Sequence, residues 1–149
     1  MEFKKVKTAL IGCGMISKTY LTNLKALDVI DLVGCSDIIE SRAESRASEF
    51  GIKKMTNEEI YSDPTVELVI NTTYPTAHYK VAKEALLAGK SVYTEKMICA
   101  TLDEVKEALD CKADVIMLDN MDCPTMAEAV KINAGRAKLE ASGNITLDN

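Results

Sequence analysis

Short aliphatic runs alternate with helix-forming stretches along this chain, and the first run leads into a glycine turn, VKTALIGCGMIS at residues 6–17. Strands are expected at 6–11, 29–35, 53–55, 67–71, 91–94, 115–118 and 137–141. Helices are expected between them, at about 16–26, 40–50, 57–61, 78–88, 102–109 and 125–135, with Gly89 as a stop and Thr101 as an N-cap. Parallel neighbours need a crossover that returns the chain to the same end, so this alternation reads as βαβ units. Crossovers are right-handed, which leaves a three-layer α/β fold with a doubly wound parallel sheet as the simplest solution. The expected strand order is 3-2-1-4-5-6, with 137–141 as an extra edge strand, all within a single domain over residues 1–149. The apolar run Val115, Ile116, Met117 and Leu118 suits a strand covered on both faces. Ala127, Val130 and Ala134 are expected to bury the following helix. One continuous sheet would set Asp119 and Ser142 on the same rim as Gly12 and Gly14, with Asp119 about 14 Å from the glycine turn. An open edge at 145–147 would offer a seam for a homodimer.

Composition narrows the function. A chain of 149 residues can bury about 70% of its unfolded surface. No apolar run approaches the length of a membrane span, and MEFKKVKTALIG lacks the apolar region of a secretory signal. A net charge of −5 without a basic cluster argues against nucleic acid as a partner. Cys13, Cys35, Cys99, Cys111 and Cys123 form no CxxC pair, so neither a metal site nor a disulfide framework is expected. Reduced thiols suit a cytoplasmic protein.

Gly12, Gly14 and Ser17 fall in the G-x-G-x-x-G/A frame, with serine in the last slot. The first glycine allows the tight turn, the second lets backbone approach a pyrophosphate, and a small third residue lets helix and strand pack closely. The N–H groups around Met15 and Ile16, at the positive end of the helix, can hold the phosphates. Asp37 closes the second strand about 20 residues later, where a carboxylate can accept from a ribose 2′-hydroxyl and repel a 2′-phosphate. This predicts a nicotinamide dinucleotide, NAD ahead of NADP. A purely structural turn is the alternative, and Arg42 reads as a solvated helix arginine, with reach to the adenine or a 2′-phosphate as its alternative.

The stretch VELVINTTYPTAHYKVAKEALLAGKSVYTEKM carries a more specific signal. With the glycine turn and Asp37, it resembles the N-terminal Rossmann domain of the glucose–fructose oxidoreductase/inositol dehydrogenase (Gfo/Idh/MocA) family over about residues 1–110. Aligned on His78, Thr73 takes the place of the family's loop threonine, and Glu95-Lys96 match its Glu-Lys-Pro. Tyr74-Pro75 replace the usual Pro-Asn, and Met97 stands where proline is expected. The resemblance implies a cofactor site made by Gly12, Gly14, Met15, Ile16, Asp37, Thr72, Thr73, His78 and Glu95. It also implies that Lys96 corresponds to the lysine beside the reacting carbinol, here vestigial because the family's substrate domain does not follow. A solvated Lys96 and a merely structural or exposed His78 are the alternatives.

From about Ala113 onward the sequence resembles a different family, the late barrel strands of quinolinate phosphoribosyltransferase. The words that carry the likeness are LDN at 118–120 and EASGNI at 140–145. The resemblance implies a ribose or magnesium role for Asp119 and a phosphate loop at Ser142-Gly143. A strand-end capping carboxylate and a plain turn are the alternatives, because two strands cannot enclose a site that a whole barrel assembles. The two resemblances meet near 110–113. This reads as an engineered chimera, with a natural fusion as the alternative. The expected function is an α/β scaffold with a residual NAD site and no complete catalytic site. An oxidoreductase module needing a partner domain and a ligand-free structural fold are its rivals.

Overall fold

A computed structural model of the chain describes residues 4–96, 99–143 and 145–146. Strands β1 (Val6–Ile11), β2 (Ile30–Ser36), β3 (Lys53–Lys54), β4 (Leu68–Asn71) and β5 (Ser91–Thr94) pair in parallel in the order β3-β2-β1-β4-β5. The first five strands therefore take the expected order. Successive side chains of β1 point to opposite faces. Leu10 joins Leu21 and Leu24 of α1 (Ser17–Ala26) and Ala43 and Phe50 of α2 (Glu40–Phe50). Ala9 and Ile11 join Ile60 of α3 (Asn57–Ser62) and Val81 and Ala85 of α4 (Pro75–Leu87). One strand thus nucleates two cores, and the three layers follow.

Helix starts are set locally. The Thr56 and Thr101 side chains each cap the third helical residue, and Glu59 and Glu104 reach back to the cap N–H. The second of these boxes opens α5 (Leu102–Asp110), as expected from Thr101. Pro75 starts α4 three residues earlier than the pattern around 78–88 implied, because proline is pre-shaped for the first helical position. The early start puts His78 in the first turn.

The remaining strands depart from expectation. β6 (Val115–Asp119) and β7 (Lys138–Ser142) pair with each other in parallel as a separate two-stranded sheet, not as strands six and seven of the main one. The segment after β5 holds the C-terminal end of β6: Asp119 N–H donates to the Cys99 carbonyl at 3.0 Å, within a parallel Cys99–Leu118 bridge. On the other side Lys83 pairs with Glu107 at 2.5 Å, and the Tyr79 hydroxyl donates to the same carboxylate, tying α4 to α5. A cleft of about 720 Å³ remains between β5 and β6, walled in part by Tyr79, Tyr93, Cys111, Val115 and Glu140.

Three further expectations fail with the shared sheet. Asp119 and Ser142 are register partners at the end of the second sheet, so a distance counted across one sheet to the glycine turn does not apply. Val115 is 51% exposed because it faces the cleft, whereas Ile116 and Leu118 are buried. In α6 (Cys123–Asn133) the exposed residues include Ala127 and Val130, and Ala134 lies past its end. The buried face is Met126, Ala129, Ile132 and Asn133, packed with Val105 and Leu109 of α5. The Asp122 cap, accepting from Thr125 N–H at 2.8 Å, starts the helix at Cys123 and helps fix that phase. The expected seam at 145–147 includes Leu147, which lies outside the described residues.

Candidate dinucleotide site

The glycine turn is pinned from both sides. Gly12 N–H donates to the Ser36 carbonyl at 2.8 Å, and Thr72 N–H donates to the Ile11 carbonyl at 2.9 Å. Gly12 has a φ of +104°, and a Cβ there would lie 2.5 Å from the Thr72 carbonyl carbon and the Thr73 nitrogen. Only glycine lets the β4 loop cross this close. Thr72 Oγ1 completes the crossing by donating to the Gly12 carbonyl at 2.7 Å. Gly14 is the opposite case: a Cβ there meets nothing within 4 Å, because its bare side faces open space.

Beyond the turn, α1 begins without a side-chain cap and without an acid in its first turn. Its first N–H groups therefore lack helix partners and present a positive dipole end. Ser17 Oγ donates to the Gly14 carbonyl at 2.6 Å and accepts from Arg46 Nε at 3.1 Å, which places a guanidinium beneath the turn. The Asp37 carboxylate closes the other end. Its oxygens accept from Cys13 N–H and Ile39 N–H, each at 2.7 Å, and each keeps a lone pair for a further donor.

A cavity of about 360 Å³ lies against these groups, at the carboxyl ends of β1, β2 and β4. Gly12, Gly14, Met15, Ile16, Asp37, Thr72 and Thr73 all line it. His78, Glu95 and Lys96 do not. His78 is buried behind the wall, with its ring between the Thr73 and Lys96 carbonyls. The Glu95 carboxylate accepts from the Tyr20 hydroxyl, whose titration is pushed up by burial and by that bond. Lys96 is exposed. Among the described residues no group of three or more His, Cys, Asp or Glu is placed to hold a metal ion.

One polar contributor escaped the sequence reading, and another stood in it only as an alternative. Arg42 lines the cavity from α2 instead of lying free on the helix surface. Asn57 lines it from the start of α3, with its Oδ1 accepting from Ser36 Oγ at 2.5 Å. The signal for Arg42 was its spacing shortly after Asp37, in the first turn of α2. No local signal marked Asn57.

The cysteines near the turn are buried, and the Cys13–Cys35 contact pulls the Cys35 thiol down as it pushes the Cys13 thiol up. The contact with Cys35, and then burial, push the Cys13 thiol well above its ordinary range, and burial pushes Cys99 up to about 12. Iodoacetamide on the native protein is therefore expected to label exposed Cys123 first and Cys111 second, leaving Cys13, Cys35 and Cys99 for the unfolded chain. Peptide mass mapping reads the order, and early labelling of Cys13 would contradict the closed turn.

A parallel 3-2-1-4-5 sheet, a glycine turn against an uncapped helix and an acid at the end of the second strand define a dinucleotide-binding α/β protein. The sequence model of the Gfo/Idh/MocA oxidoreductase family, with an NAD-binding Rossmann fold, matches residues 6–115. The chain belongs to this family. It is 36% identical over 112 residues to scyllo-inositol 2-dehydrogenase (NADP(+)) IolW of Bacillus subtilis, covering 72% of this chain and 31% of that protein. Myo-inositol dehydrogenase from Lactobacillus casei, solved with NAD(H) and myo-inositol, is 25% identical with a TM-score of 0.66, covering 72% of this chain and 33% of that one. GenD2 from gentamicin A biosynthesis, solved with NAD, shares the fold over 97% of this chain and 36% of its own, at 20% identity and a TM-score of 0.66. The chain spans about a third of the length of the curated relatives it matches. Among the described residues no helix is long and apolar enough to cross a membrane.

Proposed function

We propose that the chain is the cofactor-binding module of a polyol-type oxidoreductase, holding NAD ahead of NADP. One observation carries the reading: Gly14, the uncapped start of α1 and the Asp37 carboxylate all border one cavity. The pyrophosphate would lie over Gly14 and the N–H groups of Met15 and Ile16, with the adenosine ribose at Asp37. A carboxylate there opposes a 2′-phosphate, and Arg42 in the same cavity narrows the preference without reversing it. When bound, the cofactor supplies hydride chemistry. The chain's own part is to fix its phosphates and ribose, and to carry Lys96 on the loop after β5. Hydride transfer needs a substrate held against the nicotinamide in a water-poor pocket, so turnover is expected only when a second domain or partner supplies that wall. The reduced thiols support a cytoplasmic location.

The test is a titration with NADH followed by cofactor fluorescence, which is clean because the chain has no tryptophan. A Kd of about 0.1–1 mM is expected, equivalent to about 4–5.5 kcal/mol. Asp37→Ala should weaken NADH and bring NADPH level with it. Saturable binding that ignores both Asp37→Ala and Gly14→Val would place the ligand elsewhere.

For residues 113–149 we infer a separate origin in a barrel βαβ unit of the quinolinate phosphoribosyltransferase type. The LDN and EASGNI words support it. Amide exchange across the join bears on it: cooperative opening of both sheets together would count against a grafted unit.

A further inference from the structure

We propose that His78 is held as an imidazolium cross-brace between the two loops beside the cofactor cavity, a positioning residue that ties the Lys96 backbone to the Thr73 wall. Its role in cofactor binding rests on the reading above, whereas the brace itself does not. The His78 side chain is buried, with the residue 3% exposed. Nδ1 lies 2.8 Å from the Lys96 carbonyl oxygen, and Nε2 lies 2.8 Å from the Thr73 carbonyl oxygen. A carbonyl oxygen can only accept, and a neutral imidazole has one donor and one acceptor nitrogen. A neutral ring could satisfy one loop while setting lone pair against lone pair at the other. Only a ring with both nitrogens protonated makes both bonds.

The surroundings make the brace conditional. The second proton depends on the two charge-assisted bonds that the loops supply together. Among the described residues no carboxylate bonds the ring. On the loop after β5, Glu95 is engaged by Tyr20, and Lys96 bears its ammonium on an exposed side chain. On α4, Tyr79 is bonded to Glu107, and Lys80 lies 3.9 Å from Glu84. From β4, the Asn71 amide donates to the His78 carbonyl at 2.9 Å, which fixes the helix start whatever the ring's charge.

The two loops differ in what else holds them. Thr73 Oγ1 donates to Asn71 Oδ1 at 2.7 Å, and neighbouring Thr72 is bonded to Gly12. Loss of the second proton therefore releases the Lys96 side and leaves the Thr73 wall in place. Since Lys96 resembles the family's lysine beside the reacting carbinol, the brace would set that loop's position as a function of pH.

The chain has one histidine, so imidazole nitrogen NMR on the uniformly labelled full-length protein gives a single spin system. At pH 7 both ring nitrogens are expected in the protonated range with resolved N–H couplings. Raising the pH until that signature disappears should lower the amide protection factor at Lys96, with the intrinsic pH dependence of exchange divided out, about tenfold, the equivalent of one lost hydrogen bond, while the protection factors of Thr72 and Thr73 hold. His78→Gln, which keeps one donor, should show the lower Lys96 protection factor at every pH. A neutral single tautomer at pH 7 would overturn the brace, as would equal loosening of both loops. NADH titration separates the two readings. An imidazolium signature without NADH binding sinks the cofactor reading and keeps the brace, and NADH binding with a neutral ring does the reverse.

Discussion

Gly12→Ala is expected to destabilise the protein by about 2–6 kcal/mol, while Gly14→Ala two residues away leaves stability within about 1 kcal/mol. The difference lies in what each missing side chain would meet. At Gly12 the new methyl lands 2.5 Å from Thr72 and Thr73 backbone atoms, which no rotamer change can move. Overpacking of that kind costs about 1–3 kcal/mol. A side chain at a φ of +104° adds about 1–3 kcal/mol of backbone strain. Set against a total stability of about 5–15 kcal/mol, that loss is a large share, and the urea midpoint should fall clearly. At Gly14 a Cβ meets nothing within 4 Å, so the fold has no reason to object. A bound pyrophosphate does, and NADH affinity should fall at least about tenfold, or 1.4 kcal/mol. Urea midpoints read the first effect and NADH fluorescence the second. An unchanged midpoint for Gly12→Ala would mean that the β4 loop does not rest on the turn. Unchanged NADH affinity for Gly14→Ala would move the cofactor off it.

What the sequence revealed, and what it hid, follows from the range of the interactions. Alternation along β1 is local, so the opposite faces taken by Leu10 and by its neighbours Ala9 and Ile11 are legible in the order of the residues alone. The glycine turn, Asp37 and the Thr101 cap are equally local, and each lies where the pattern placed it. The pairing of β6 is not local. Val115–Leu118 is apolar enough for a central strand, but its neighbour depends on where the chain after β5 carries Cys99. The phase of α6 failed for a related reason. Ala127, Val130 and Ala134 repeat at the same spacing as Met126, Ala129 and Asn133, so periodicity alone cannot choose between the two faces. At the site, Asn57 reaches the cavity from a helix remote in sequence from the glycine turn, whereas Arg42 follows close after Asp37. The two carbonyls around His78 come from loops 23 residues apart, so its surroundings could not be read from the motif.

Ile116→Ala should open the second sheet and leave the first intact. Ile116 is 1% exposed and packs with Val105, Leu109, Leu118 and Ala129 in a core that shares no residue with the two cores flanking β1. Removing its buried carbons costs about 2–5 kcal/mol. That loss falls on a unit joined to the rest by few contacts, notably the Cys99 bridge and the Glu107 bonds to Lys83 and Tyr79. Units so joined open sub-globally. Amides of β6 should then exchange more than about tenfold faster, since each 1.4 kcal/mol is a factor of ten, while those of β1 hold their protection. Acid should open the same seam. The Lys83 ammonium, and then the Tyr79 hydroxyl, hold the Glu107 carboxyl below its ordinary range. A carboxyl depressed in the folded state stabilises it above the ordinary carboxylate range and loses that contribution as the pH falls through the folded value. Lowering the pH from about 6 to about 3 should therefore loosen α5 against α4 before β1 opens, and Glu107→Gln should remove that step. Exchange measured residue by residue decides the matter. If β1 and β6 lose protection together in Ile116→Ala, the two sheets unfold as one cooperative body and no mechanical boundary separates them.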